Sequence, residues 1–542
     1  MENNEKKEET LIMEKAEENT TVVEEESNEK KPKKSDNKII LSIAMVVVLL
    51  GLIGGSLFLW QNQTKNNTIT NNAKEVKSEY RMSGNTLEKF DLYFLQLENS
   101  SKNLIYSPLS IKYALEMLGE GSKGTTKKQI DAVIGDYQAK KYTNNEHMSF
   151  ANAMFIRNSY KENIKDSYTN ILSDKYNAEI IYDPFENANT INSWIGNKTF
   201  NLINNLLDDD TVREENFILV NALGIDMEWN NLIQCATSRK INCINYHVNY
   251  NHENYSENIF PIEGERYSSI TFNGKENIKA VEIGASINNY DIVKTLGEEN
   301  IRKEVTAAYE EHMKQNPDDD CSKDFDLDRY IQELDSNYKR VDTSTDFYLY
   351  DDEEVKVFAK DLKEYDGTTL QYVSIMPKNM DLASYVKDTN PEKLNKIMNS
   401  LKEIKLENFK EGVVTKVTGY IPLFKFDYKL DFINDLKKIG ITDVFDITKA
   451  NLSGMLAEGQ KQFINDASHK ATIEFSNEGI KAAAVTQEGG AGATSCGFEY
   501  KYDVPVETID LTFDNPYLFL IRDKNTSEVW FVGTVYEPVL NQ

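Results

Sequence analysis

A run of small residues between two strand-like segments, near the C-terminal end of the chain, strongly limits how this region can fold. Residues 469–475 alternate polar and apolar side chains, as a half-buried strand does. Residues 477–486 come soon after and are rich in alanine and β-branched residues, which fit between packed strands. Residues 513–522 then have the pattern of another buried strand. The sequence predicts a loop that can enter a β-sheet as an additional strand.

Several other segments, taken in order, resemble the serpins, a family of protease inhibitors. These segments are residues 103–111, 119–126, 217–222 with Trp229 beyond, 421–426 and 452–455. The resemblance extends from residue 84 to residue 538, apart from one insertion. It implies an α+β fold with three β-sheets, about eight or nine helices and an exposed reactive loop.

The resemblance assigns a hinge to the start of the reactive loop. The hinge residues are Glu478, Gly479, Ile480, Ala482, Ala483, Ala484 and Thr486. Strand alternation turns Ile480, Ala482, Ala484 and Thr486 inward, a mostly small set that favours insertion. Asn477 stands where inhibitory members usually have glutamate, and Ile480 is bulkier than the usual threonine or serine. Glu488 also turns inward, where an unpaired carboxylate is costly to bury.

Four polar residues match the family's shutter, the region under the main sheet where two strands part to admit the loop. They are Ser107, Ser110, Asn221 and His469. Small hydroxyls and one imidazole suit a place that exchanges hydrogen-bond partners. An ordinary buried polar cluster is the alternative interpretation.

Family spacing from the hinge puts the bond that a protease cleaves, here called the bait bond, at Ala493–Thr494. A small bait residue suits an elastase-like or subtilisin-like serine protease, and a cysteine protease is a further candidate. The stretch that follows is longer than usual, so Cys496, Phe498 and Lys501 stay open as alternatives. Lys501 implies a trypsin-like target.

An uncharged stretch of 22 residues runs from Ile39 to Trp60. As a helix it is about 33 Å long, which is enough to cross a bilayer. Lysines precede it, so the positive-inside rule puts residues 1–38 in the cytoplasm as a disordered tail. Residues 61–82 are expected to be a flexible linker, and the domain at 83–542 to be extracellular. A cleaved signal peptide is the alternative to this signal anchor.

The segment of about residues 235–340 departs from the family and is interpreted as an inserted subdomain, with helices expected at 298–314 and 328–338. Elsewhere the periodicity predicts helices at 84–99 and 191–207 and strands at 150–156 and 372–377.

The chemistry of the chain excludes several function classes. A net charge of −27 argues against nucleic acid as a partner. No motif of a hydrolase, metalloprotease or nucleotide-binding loop occurs, so neither enzyme activity nor a cofactor or metal is expected. The leading hypothesis is an extracellular, membrane-anchored inhibitor of serine proteases that traps its target covalently by loop insertion. The alternative is a non-inhibitory binding protein of the same fold, with the insertion as its recognition surface.

Overall fold

The structure is a computed structural model, and the description below covers only part of the chain. The described residues are 41–52, 78–227, 229–230, 246–251, 256–261, 268–317, 325–337, 339–343, 345–475, 498, 500 and 502–540. The predicted hinge, residues 478–486, and the predicted bait residues Ala493 and Thr494 lie outside them, as do Cys496 and Lys501.

The described residues contain twelve α-helices and three short 3₁₀ segments. The helices are α1 (Lys89–Leu97), α2 (Pro108–Gly121), α3 (Gly124–Ile134), α4 (Asp166–Tyr176), α5 (Asn189–Lys198), α6 (Asp209–Glu214), α7 (Ile292–Leu296), α8 (Glu298–Gln315), α9 (Leu327–Asn337), α10 (Leu382–Asp388), α11 (Pro391–Asn399) and α12 (Ile433–Lys438). The 3₁₀ segments are Asn158–Asn163, Leu406–Asn408 and Asp443–Phe445.

Local signals explain several helix boundaries. The Ser107 side chain accepts a hydrogen bond from the Ser110 amide, and Pro108 occupies the first position of α2. Helices α8 and α9 confirm the two predicted in the 235–340 segment. The helix expected at 191–207 ends earlier, at Lys198. It stops there because Phe200 and Asn201 take left-handed backbone conformations just after α5.

The described strands number twenty. They are β1 (Leu41–Leu52), β2 (Leu104–Tyr106), β3 (Met148–Arg157), β4 (Glu179–Asp183), β5 (Phe217–Met227), β6 (Tyr246–Asn251), β7 (Ser256–Pro261), β8 (Ser268–Phe272), β9 (Lys275–Asn289), β10 (Lys339–Thr343), β11 (Tyr348–Asp351), β12 (Val355–Asp361), β13 (Leu370–Pro377), β14 (Lys402–Glu403), β15 (Val413–Pro422), β16 (Phe424–Asp431), β17 (Phe463–Phe475), β18 (Val506–Asp510), β19 (Tyr517–Asp523) and β20 (Val529–Val535).

These strands form three large sheets and one hairpin. The six-stranded sheet has the order β16-β17-β1-β5-β3-β4, and the seven-stranded sheet has the order β14-β11-β12-β13-β19-β20-β2. The five-stranded sheet has the order β10-β9-β15-β18 with β8 on β9, and β6 pairs with β7. Helix α2 contacts β1 and β5 of one sheet and β20 of another, so it packs between them. The α+β class with three main sheets is confirmed; helices are more numerous than predicted.

Strand β1 comes from the stretch predicted to span a membrane. It lies at the centre of the six-stranded sheet, antiparallel to β5 on one side and to β17 on the other. Its valine and isoleucine residues favour strands, and the two neighbours supply hydrogen-bond partners along both of its edges. The predicted helical conformation of residues 41–52 is therefore wrong for this structure. Across the described ranges, no helix has the length and apolar character needed to cross a membrane.

The described residues have two cores that matter for function. The largest joins α2 to all three large sheets and includes Val47 and Leu49 of β1. A separate cluster joins α7, α8 and α9 to Phe498, with Tyr500, Tyr502 and Val504 packed against it.

Candidate functional site

The candidate site is the boundary between β5 and β17, called the seam here, which β1 fills. Leu41 pairs with both Met227 of β5 and Phe475 of β17, and the pairing continues along the whole of β1. Six residues further along β1, Val47 stands opposite Asn221 on one side and opposite His469 on the other. Directly opposite residues share a face of a sheet. Two of the four predicted shutter residues therefore flank one buried valine.

His469 is fully buried and carries no charge at neutral pH. Burial lowers the pKa of its imidazole to about 3. The Ser107 amide donates a hydrogen bond of 3.2 Å to His469 Nε2, so the single ring proton belongs on Nδ1. That Nδ1 has no hydrogen-bond partner among the described residues. A buried donor left without a partner costs about 1–3 kcal/mol.

Asn221 shows the complementary deficit on the other side of Val47. Its amide nitrogen donates a 2.7 Å hydrogen bond to Asn152 Oδ1, and the Asn152 amide donates a 2.8 Å bond to the Tyr176 carbonyl. Asn221 Oδ1 itself lacks a partner within the described part of the chain. An acceptor on β5 and a donor on β17 thus remain unsatisfied because an apolar residue separates them.

Ser107 and Ser110, at the start of α2, complete the group of four predicted shutter residues. The Ser110 amide donates to Ser107 Oγ at 3.1 Å, and both serines are fully buried. Ser110 Oγ has no partner among the residues described. The structure thus brings the four predicted residues together around the seam, and their unsatisfied atoms are free to take new partners when strands exchange.

The end of the seam near Phe475 is closed by aromatic rings. The Trp229 ring lies edge-on to Phe475 at 6.0 Å and to Tyr372 at 6.1 Å. Trp229 is buried, as is Phe475, after which the predicted hinge begins. The ring contacts hold Phe475, the last residue of β17, against the body of the protein.

Sequence reasoning missed two kinds of residue. Asn152 was not singled out, although an asparagine inside an otherwise apolar strand is a signal of a buried polar contact. Phe498, which is buried, and Tyr500, Tyr502 and Val504, which are partly buried, were not recognised as one packed set, although their spacing of two is typical of one face of an extended chain. Phe498 was instead an alternative bait residue. It is only 4% exposed, so that alternative is wrong for this structure.

Comparisons with known proteins agree with this geometry. A family model described as Serpin (serine protease inhibitor) matches residues 89–241 and 335–538, which is more than half of the chain. An uncharacterized serpin-like protein of Methanosarcina mazei is 24% identical over 508 residues, covering 88% of this chain and 91% of its own. Human neuroserpin is 21% identical, covering 82% of this chain and 88% of its own length. The solved structure of thyroxine-binding globulin with thyroxine has a TM-score of 0.51 and 17% identity, covering 83% of this chain and 97% of that one.

Proposed function

Because this chain belongs to the serpin family, we propose that it is an extracellular inhibitor of serine proteases that inserts its own cleaved loop into the six-stranded sheet. The observation that carries the proposal is that the seam accepts a complete additional strand. Strand β1 is hydrogen-bonded to β5 and to β17 along both edges. A sheet that receives residues 41–52 at this place has room for another extended segment of similar length.

The direction of β1 supports the same conclusion. Strand β17 ends at Phe475, and β1 starts at Leu41 directly opposite it and runs antiparallel. A chain that turns back after Phe475 and pairs with β17 has this same direction, because consecutive strands of a hairpin are antiparallel. The reactive loop would therefore enter the seam from the same end and with the same polarity as β1.

The proposed chemistry belongs to the protease, and the inhibitor supplies the bait and the sheet. The protease serine oxygen attacks the carbonyl carbon of Ala493, the bond to the Thr494 nitrogen breaks, and that nitrogen takes up the serine proton and leaves as an amine. The upstream half of the loop stays joined to the protease as an ester. Its insertion into the seam before water hydrolyses the ester moves and distorts the protease.

Two unsatisfied atoms favour this role over a static sheet. When β1 is absent and β5 meets β17 directly, His469 Nδ1–H can donate to Asn221 Oδ1, and each buried atom gains the partner that it lacks now. The same pair must separate when a strand enters. This exchange keeps the cost of opening the sheet moderate, at about the value of one or two hydrogen bonds.

We further propose that residues 39–60 anchor the inhibitory form in a membrane, with the domain outside the cell. Residues 41–52 cannot lie in a bilayer and in the sheet together, so an anchored molecule has a seam that β1 does not fill. Anchoring would thus prepare the inhibitor, and release from the membrane would let β1 occupy the seam. The lysines before residue 39 and the uncharged stretch after it support this orientation.

The test uses a chain that begins at Lys74 and so lacks β1. Incubated with an elastase and with a subtilisin, it should form a complex that survives SDS. Ala484→Arg places a charge on the inward face of the inserted strand and should convert the inhibitor into a cleaved substrate. Ala483→Arg, its outward neighbour, is the matched control and should still form the complex. Cleavage without any complex, across a broad panel of serine and cysteine proteases, would contradict the proposal.

A non-inhibitory binding protein is the second candidate, and the position of β1 is the observation that favours it. A seam that β1 fills permanently cannot receive the loop. In that case the full chain would be cleaved by proteases without trapping them, even when it is reconstituted in membrane vesicles. Complex formation by the full chain in vesicles supports the inhibitor with a removable strand.

A further inference from the structure

The segment from Phe498 to Val504 lies directly downstream of the proposed bait bond, and its alternate residues pack against α7, α8 and α9. These three helices come from the segment of about residues 235–340 that departs from the family. Beyond Val504 the chain enters β18, which pairs with β15. The helices thus contact the part of the chain that leads from the reactive loop back into the body of the protein.

Aromatic rings surround Phe498 on several sides. The Phe498 ring centre lies 5.2 Å from that of Tyr330, 5.3 Å from that of Tyr309 and 5.6 Å from that of Phe325. The Tyr309 and Phe325 rings stack with their centres 3.9 Å apart, and both rings are nearly perpendicular to the Phe498 ring. Aromatic pairs in such geometries contribute about 0.5–1.5 kcal/mol each beyond the area that they bury.

Hydrogen bonds fix the next residues along the segment. The Tyr500 amide donates to Tyr330 Oη at 2.8 Å, and the Tyr500 hydroxyl donates to Glu304 of α8 at 2.6 Å. The hydroxyls of Tyr502 and Tyr290 are 2.8 Å apart. The segment is therefore held at three successive alternate positions, by packing at the first and by polar contacts at the other two.

We propose that α7, α8 and α9, with Tyr290 before α7 and Phe325 before α9, form a clamp that fixes the downstream stem of the reactive loop and so determines which peptide bonds a protease can reach. This inference rests on the proposed function and specifies its loop. A protease binds several residues of its substrate in an exposed, extended form on both sides of the cleaved bond. Phe498 is buried and Tyr500 and Tyr502 are bonded to the clamp, so the bait bond lies upstream, within residues 476–497.

The clamp also has a consequence for specificity. It leaves Ala493–Thr494 as a candidate bond and opposes cleavage after Lys501, whose neighbours Tyr500 and Tyr502 are both held. A trypsin-like protease is thereby disfavoured, and a protease that prefers small residues is favoured. The extra length between Thr494 and Pro516 is explained by the residues that the clamp holds.

Trypsin digestion of the full chain under native conditions tests the clamp without any need for inhibition. Mass spectrometry would follow the peptide that begins at Tyr502. Cleavage after Lys501 should be slow in the wild type, faster by about tenfold or more in Phe498→Ala, and faster by about threefold to tenfold in Tyr330→Phe. Tyr182→Phe, at an exposed tyrosine of β4, is the matched control and should leave the rate unchanged.

The variants Phe498→Ala and Tyr330→Phe are used together so that the test still gives a result when one of them fails to fold. Tyr330→Phe retains the ring and loses the hydroxyl that accepts from the Tyr500 amide, so it reports even when Phe498→Ala unfolds the helices. Equal cleavage after Lys501 in the wild type and in Tyr330→Phe would overturn the clamp, whatever the inhibition assays give. Protection of Lys501 that is lost in the variants, combined with no protease complex of the chain that begins at Lys74, would support the clamp and contradict the inhibitor.

Discussion

The two ends of the reactive loop are attached to regions of opposite character. Upstream, the loop leaves β17 beside the seam, where buried donors and acceptors on His469, Asn221 and Ser110 lack partners in the described structure. Downstream, it reaches a clamp in which tyrosine hydroxyls bind one another, a glutamate and a backbone amide. Unsatisfied buried atoms lower the cost of exchanging strands, whereas stacked rings and paired hydroxyls resist movement. The comparison indicates a loop with one end built to move and one end built to stay.

The largest expected effect is at the movable end. Val47→Asp places a carboxylate between Asn221 and His469, where its burial costs several kcal/mol, so β1 should leave the sheet. Hydrogen exchange of the amides in residues 41–52 should then become fast. Val47→Thr is the matched control, because its hydroxyl can accept from His469 Nδ1–H and donate to Asn221 Oδ1, and β1 should remain protected. Unchanged protection in Val47→Asp would show that β1 does not lie in the seam.

A smaller effect is expected at the fixed end, and it tests whether the two ends are independent. Phe498→Ala removes a buried ring, a change that typically costs about 3–5 kcal/mol. Exchange should accelerate in α7 to α9 and in residues 500–504, while residues 41–52 keep their protection. Loss of protection in β1 as well would mean that the two regions unfold as one unit, against the comparison drawn here.

The smallest expected effect is the pH dependence of the seam. The buried His469 imidazole has a pKa of about 3, whereas an exposed one titrates near 6.5, so the unfolded chain takes up the proton first as the pH falls. Acidification below 6.5 therefore removes about 1.4 kcal/mol of stability per pH unit. His469→Gln lacks this contribution, and its deficit relative to wild type should shrink between pH 7 and pH 5.

The difference in stability between wild type and His469→Gln isolates the contribution of the His469 imidazole. Burial raises the pKa of Asp91 to about 6, which changes stability in the opposite direction over the same range, but it does so equally in both. Denaturant unfolding would measure the stability of both proteins between pH 7 and pH 5. A stability difference that stays constant over this range would contradict a neutral buried imidazole.

Resemblance to the family predicted the fold, and local signals predicted several of its elements. Strand-like apolar runs predicted β3 and β13, and a serine followed by proline predicted the start of α2. The position of β1 could not be predicted in this way, since a long uncharged stretch suits a bilayer and a central strand equally well. Only the free edges of β5 and β17 favour the strand, and edges are a property of the assembled sheet.

The site was predictable in part for a related reason. Ser107, Ser110, Asn221 and His469 were identified by resemblance, but the contact of Asn152 with Asn221 became visible only when β3 was paired with β5. The clamp joins Phe498 to helices that lie nearly two hundred residues earlier in the chain. The alternate aromatic residues indicated a buried face, but no local pattern indicated which helices it packs against.

The central claim is that the seam takes one strand at a time and that the cleaved loop can be that strand. The direct measurement is the melting temperature of the chain that begins at Lys74, before and after an elastase has cut its loop. We predict that the cut form melts more than about 10 °C higher, because the inserted loop adds a central strand to the sheet. Equal melting temperatures of the cut and intact forms would contradict the account.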